Sequence, residues 1–171
     1  MVTFQITGLD EVINRINSID LEQISFRVAT QVRNDMFKRV FVDGKASDGS
    51  QIGTYTTGYM KVRTNDFKSK NTVRGANKGK PRFRYNHLND PKVILTLTGQ
   101  MNEDFGGTVP IKIENGHGIG FSNRKNYEKA MWQDDTKGKQ RYNKPIWNLT
   151  KEEQEAAQAE VHNYLVDLGL V

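Results

Sequence analysis

The sequence contains no cysteine, which excludes disulfide frameworks, thiolate-ligated zinc, iron–sulfur clusters and cysteine nucleophiles. Runs of consecutive apolar residues reach only three, as at Val40-Phe41-Val42 and Val93-Ile94-Leu95. Neither a bilayer span nor the core of a signal peptide can be built from such runs, so the expectation is a soluble, unexported chain with no membrane partner. The three histidines, His87, His117 and His162, have no i,i+4 pairing and no carboxylates gathered at metal-ligand spacing. Apolar residues make up 36% of the 171 and charged residues 26%, with a mean hydropathy of −0.70. That is a modest supply for a compact enzyme, and it predicts long exposed loops or surfaces that wait for a partner.

Charge is present in excess of one sign. Lys and Arg number 25 against 20 Asp and Glu, a net +5, and the excess is local. Residues 61–92 hold ten basic side chains and two acidic ones, a local +8 that leaves the rest of the chain at −3. The basicity belongs to one arm.

Val2, Phe4 and Ile6 alternate with polar neighbours and stop at Gly8, the pattern of a short first strand. Asp10 is placed to cap a helix with Val12, Ile13, Ile16 and Ile19 on one face. Asp20 is placed to cap a second, in which Leu21, Ile24, Val28, Val32, Met36 and Val40 form a single apolar stripe. Periodicity then disappears between Asp43 and Pro91, where Gly44, Gly49, Gly53, Gly58, Gly75 and Gly79 punctuate an extended basic loop, set at 43–92. Residues 93–98 read as a β-rich run. Val109, Ile111 and Ile113 read as a strand, Asn115-Gly116-His117-Gly118 as its turn and 119–122 as the returning strand. Residues 127–132 read as a short helix, followed by a charged loop over 133–144. Thr150 and Glu153 match a capping box, and the helix after them has Ala157, Val161, Tyr164, Leu165 and Leu168 as its buried face and Gly169 as its stop. The predicted fold is α+β in a single domain: an antiparallel sheet against a long N-terminal helix and a C-terminal helix, with the basic loop between.

Chemical motifs are sparse. Gly75-Ala76-Asn77-Lys78-Gly79-Lys80-Pro81 has three residues between its glycines where a phosphate loop needs four, and Pro81 stands where a magnesium-binding hydroxyl belongs. Ser122-Asn123-Arg124-Lys125 fits S-x-x-K but lacks the companion motifs of penicillin-recognising enzymes. Asp43, Asp48 and Glu103 would be the carboxylates of a metal-dependent nuclease, yet no ligand set converges on them. No cofactor and no catalytic residue is predicted. The feature above background is the arm, with Lys68, Lys70, Arg74, Lys78, Lys80, Arg82 and Arg84 interleaved with Phe83 and Tyr85. That composition suits phosphate contact with stacking, or an acidic protein neighbour.

Five landmarks stand in order along the chain. They are Ile6-Thr7-Gly8-Leu9-Asp10 before a helix, Asp48-Gly49-Ser50-Gln51 followed by Tyr55, and Leu97-Thr98-Gly99-Gln100-Met101. Ile119-Gly120-Phe121-Ser122 leading to Tyr127-Glu128-Lys129-Ala130 is the fourth, and Lys144-Pro145-Ile146-Trp147-Asn148-Leu149-Thr150 before the last helix is the fifth. Together they resemble the phage virion morphogenesis and tail completion family, Mu-like, with its head-tail joining relatives, with Tyr55 in place of a tryptophan and Met101 in place of leucine. The resemblance implies a non-enzymatic structural protein of the virion neck, made in the bacterial host cytoplasm. It implies a homo-oligomeric ring, a hexamer, beside neck, connector and tail-terminator proteins, with the arm facing packaged DNA or clamping an acidic neighbour. The competing reading from residues alone is a small basic nucleic-acid-binding protein.

Overall fold

The computed structural model describes residues 9–64, 71–81, 91–95, 99–133, 142 and 144–171. The fold is α+β. Its elements are α1 (Leu9–Asn17), α2 (Leu21–Phe37), a π-helical turn (Lys38–Val42), α3 (Thr57–Arg63), α4 (Gln100–Gly107), β1 (Ile111–Ile113), β2 (Gly116–Gly118), α5 (Arg124–Met131) and α6 (Lys151–Asp167). The strand expected at 2–7 lies outside the described residues, as do 96–98 of the expected β-rich run. The chain divides into two compact units. Unit 1 comprises 1–35, 109–120 and 149–171, and unit 2 comprises 36–108 and 121–148.

Unit 1 contains α1, most of α2, the β-hairpin and α6. Asp20 caps α2 as its side chain predicts, accepting from the backbone of Glu22 and Gln23 at 2.9 and 3.0 Å. The first helix begins at Leu9, one residue before its expected cap, so Asp10 lies inside its first turn. β1 and β2 are antiparallel, pairing Ile111 with Gly118 and Ile113 with Gly116. The turn is Glu114-Asn115 and the returning strand is Gly-His-Gly, not 119–122. Gly116 looks like a turn residue in sequence, but its φ of +138° serves the strand end beside a two-residue loop, and Ser25 sits so close that a Cβ there would lie 3.2 Å from it. The hairpin is held to α2 by Lys112 Nζ on Glu22 at 2.6 Å and by Ser25 Oγ against His117 Nδ1 at 2.8 Å. Helix α6 is tied to α2 by Arg27 on Glu160 at 2.6 Å, and Arg15 of α1 donates to the Gly169 carbonyl at 2.7 Å.

The capping box at α6 forms as read: Glu153 N donates to Thr150 Oγ1 at 3.0 Å and Thr150 N to the Glu153 carboxylate at 2.8 Å. Gly169 ends the helix with φ +67°. Its buried face is narrower than expected. Tyr164 is buried and accepts from Asp20 N at 3.0 Å, Ala157, Leu165 and Leu168 are half-buried, and Val161 is exposed.

Unit 2 holds most of the core. Phe41, Phe105, Phe121 and Trp147 form one aromatic cluster with ring centroids 5.3 to 6.0 Å apart, and Trp147 Nε1 donates to the Ala130 carbonyl at 3.1 Å. Beside it Arg39, 8% exposed, donates to the carbonyls of Lys45, Ile146 and Asn148. The stretch read as aperiodic loop contributes Ala46, Ile52 and Tyr55 to this core and forms α3. Its backbone groups are paired one at a time, by single bridges at Lys45–Gln51 and Thr54–Lys92 and by turns, so no period of two or 3.6 marks the sequence. Gly44 has φ +64°, and a Cβ there would stand 2.4 Å from the Val93 carbonyl oxygen, so only glycine fits the crossing.

Candidate interaction surfaces

Of the nine arm residues singled out in sequence, Arg74, Lys78 and Lys80 are described. Lys68, Lys70, Arg82, Phe83, Arg84 and Tyr85 lie outside the described residues. The three cations ride on a closed loop, 71–81. Its base is the Asn71–Pro81 bridge, Thr72 N donates to the Lys80 carbonyl at 2.9 Å, and Gly79 N donates to the Thr72 carbonyl at 2.8 Å. Gly75 and Gly79 take φ near +80°, which turns the chain back on itself. Residues 73–81 of this loop are exposed, Thr72 is half-buried, and Val73, 59% exposed, stands just before Arg74. Sequence composition found the cations of this tip; Val73 was not flagged, because a single apolar residue in a polar loop carries no period.

The side chains that looked like chemistry are occupied in structural tasks. Ser122 Oγ donates to the Asp104 carboxylate, which also accepts from Ser122 N and Asn123 N at 3.1 Å and from Asn126 Nδ2 at 3.0 Å. Partial burial pushes the Asp104 carboxyl up, but these hydrogen bonds outweigh it and hold the group below its ordinary value. This carboxylate latches α4 to the start of α5, and Lys125 of the S-x-x-K match is exposed. At Asp48 the side-chain and backbone hydrogen bonds from Ser50 hold the carboxyl low, and Lys144 Nζ reaches Ser50 Oγ at 2.8 Å and the Gln51 carbonyl at 2.6 Å. The Asp-Gly landmark and the Lys-Pro landmark are therefore one joint, reinforced by Ser47 N and Oγ, both donating to the Pro145 carbonyl at 2.8 Å.

Ser25 and His117 resemble a nucleophile and its base. Ser25 Oγ also lies 2.9 Å from the Glu22 carbonyl, and when its one proton goes there the imidazole Nδ1–H is the donor to the hydroxyl. In that arrangement the histidine fixes the serine without activating it. Phe26 packs on the His117 ring edge-on at 5.4 Å. Among the described residues no group of three His, Asp or Glu side chains is placed to hold a metal ion, and Asp43, Asp48 and Glu103 form no such group. No described helix is long and apolar enough to cross a membrane.

The feature that sequence reading missed is the distribution of exposed apolar surface. Among the described residues, unit 1 has three buried apolar side chains, Ala29, Val32 and Tyr164, and unit 2 has twelve. Exposed large apolar side chains run the other way, eleven in unit 1 and four in unit 2. Ile13 and Ile16 on α1, Ile111 and Ile113 on β1, and Val161 and Val166 on α6 are all exposed. Along the α2 stripe burial rises from Leu21, 74% exposed, through half-buried Ile24 and Val28 to Val40, which is fully buried. The amphipathic pattern was visible; that its N-terminal end is only partly covered was not, since periodicity records a face and not what lies on it.

The chain matches no protein-family model, no curated protein and no solved structure.

Proposed function

We propose that the chain is a structural, non-enzymatic subunit of a phage neck, acting as a ring-forming protein that completes or joins the tail at the head-tail junction. The observation that carries this reading is the uncovered apolar surface of unit 1. Among the described residues of unit 1, three buried against eleven exposed apolar side chains support a body that gains stability by docking on another protein. A ring of six such subunits, held between connector and tail-terminator proteins, would cover it. The landmark residues support the same reading through their roles. Ser50, Lys144, Pro145 and Trp147 bond or pack within unit 2, and the exposed Asp48 carboxylate is taken up by Ser50.

The exposed tip bearing Arg74, Lys78 and Lys80 favours a second reading, a small basic nucleic-acid-binding protein. Separating heads from tails of the phage that encodes the chain, with mass spectrometry on each fraction, decides between them. The neck reading expects a few copies in particles, with tails or at the junction. Absence from particles, together with DNA affinity that falls steeply with salt, would establish the alternative.

A further inference from the structure

Charge divides between the two units more sharply than along the sequence. Unit 1 carries 11 acidic and 5 basic residues, a net −6, and unit 2 carries 9 acidic and 20 basic residues, a net +11. On α6 the residues Glu152, Glu155, Ala159, His162 and Val166 recur at helical spacing and are all exposed. They form a stripe that is acidic at its N-terminal end and apolar at the other, opposite the face carrying Glu153 and Tyr164. Lys151 lies 3.4 Å from Glu155, but both side chains are highly exposed and such a pair holds its partners weakly. The loop tip of unit 2 has the matching composition, with Val73, Arg74, Lys78 and Lys80 on one closed loop and all exposed.

We infer that the α6 stripe of one copy receives the 71–81 tip of a second copy of this chain. Both halves of the complementary pair belong to one sequence, so the partner with the right charge and the right exposed valine is the chain itself. Contact between two different patches is heterologous, and each copy that docks presents a fresh stripe and a fresh tip. The pairing specifies the subunit contact of the proposed ring and rests on that reading for closure; the charges and exposed residues argue the contact itself.

The test uses the full chain and two charge reversals at exposed positions, Lys78→Glu with Lys80→Glu and Glu152→Lys with Glu155→Lys, each checked for unchanged circular dichroism. Sedimentation at low salt should show wild-type oligomers and each variant alone as the 19.5 kDa monomer. An equimolar mixture of the two variants should re-form oligomers, because reversed tips then meet reversed stripes and native tips meet native stripes. Carbodiimide cross-linking of a mixed ¹⁴N and ¹⁵N wild-type sample should join Lys78 or Lys80 to Glu152 or Glu155 between isotopes. A monomeric wild type, variants that associate like wild type, a mixture that stays monomeric, or cross-links confined to single-isotope chains would each overturn the pairing. Particle fractionation separates this from the neck reading. A chain found at the neck without charge-swap rescue sinks the pairing alone, and rescue without any chain in particles sinks the neck reading alone.

Discussion

Replacing Asp104 with asparagine tests the account of unit 2 most directly, because it keeps the shape of the side chain and removes its charge. The carboxylate accepts from Ser122 N, Ser122 Oγ, Asn123 N and Asn126 Nδ2, and an amide has one acceptor oxygen where the carboxylate has two. The cheapest orientation turns the amide oxygen toward Asn123 and Asn126 and its NH₂ toward Ser122, whose hydroxyl rotates to accept. Ser122 N is then left unpaired and the remaining bonds lose their charge. One lost bond plus weakened partners at a partly exposed site costs about 2–3 kcal/mol. For a chain of this size that is a fall in Tm of roughly 4–12 °C. Urea unfolding followed by tryptophan fluorescence, which reports Trp147 in the adjoining cluster, should show a lower midpoint at unchanged slope. The pH dependence supplies a second check. A carboxyl held below its ordinary 3.8 contributes stability that is fully present above that value and is lost as pH falls through the lower folded value. The gap between wild type and Asp104→Asn should be constant from pH 7 to about 5 and close toward the acid limit. A gap that persists undiminished in acid, or a neutral-pH cost below about 0.5 kcal/mol, would refute the latch.

Three further substitutions probe other joints. Phe105→Ala removes a ring in contact with Phe41, Phe121 and Trp147 and should cost about 3–5 kcal/mol in chemical denaturation. Arg39→Lys keeps the charge but cannot span the carbonyls of Lys45, Ile146 and Asn148, and a loss of about 2–4 kcal/mol is expected, with a near-neutral result arguing against Arg39 as a hub. Thr150→Ala breaks the capping box of α6 and should lower stability by about 1 kcal/mol, with helix loss visible by circular dichroism.

What could be read in the sequence is what is decided within a few residues. The Asp20 cap, the Thr150–Glu153 box and the Gly169 stop each depend on groups one to four positions apart, so their chemistry is written locally. The hairpin was found but its register slipped, because Gly116 and Gly118 carry turn residues' signatures while pairing as strand. The π-helical turn left no pattern of its own: Val40 continues the α2 stripe while Arg39 and Phe41 turn into the core. The Asp104 latch and the reach of Arg39 to Ile146 and Asn148 join positions 18 to 109 residues apart, and nothing in a linear spacing announces them.

The candidate surfaces show the same limit more strongly. Read along the chain, the charge is a basic arm of +8 against a remainder of −3. In space the division is −6 against +11, because unit 1 gathers its acids from three separate segments, two of them the helical ends of the described chain. A local arm suggests a partner of opposite charge from elsewhere; two oppositely charged bodies in one chain supply that partner themselves. Such a contact satisfies only one copy at a time, so the rotation it imposes decides the outcome. A rotation that closes gives a ring with every stripe and every tip covered. One that does not close leaves a stripe at one end and a tip at the other, and growth continues as a fibre. Under the proposed ring reading, the angle of this contact, and not the charges that make it, therefore decides whether growth stops at a fixed subunit number.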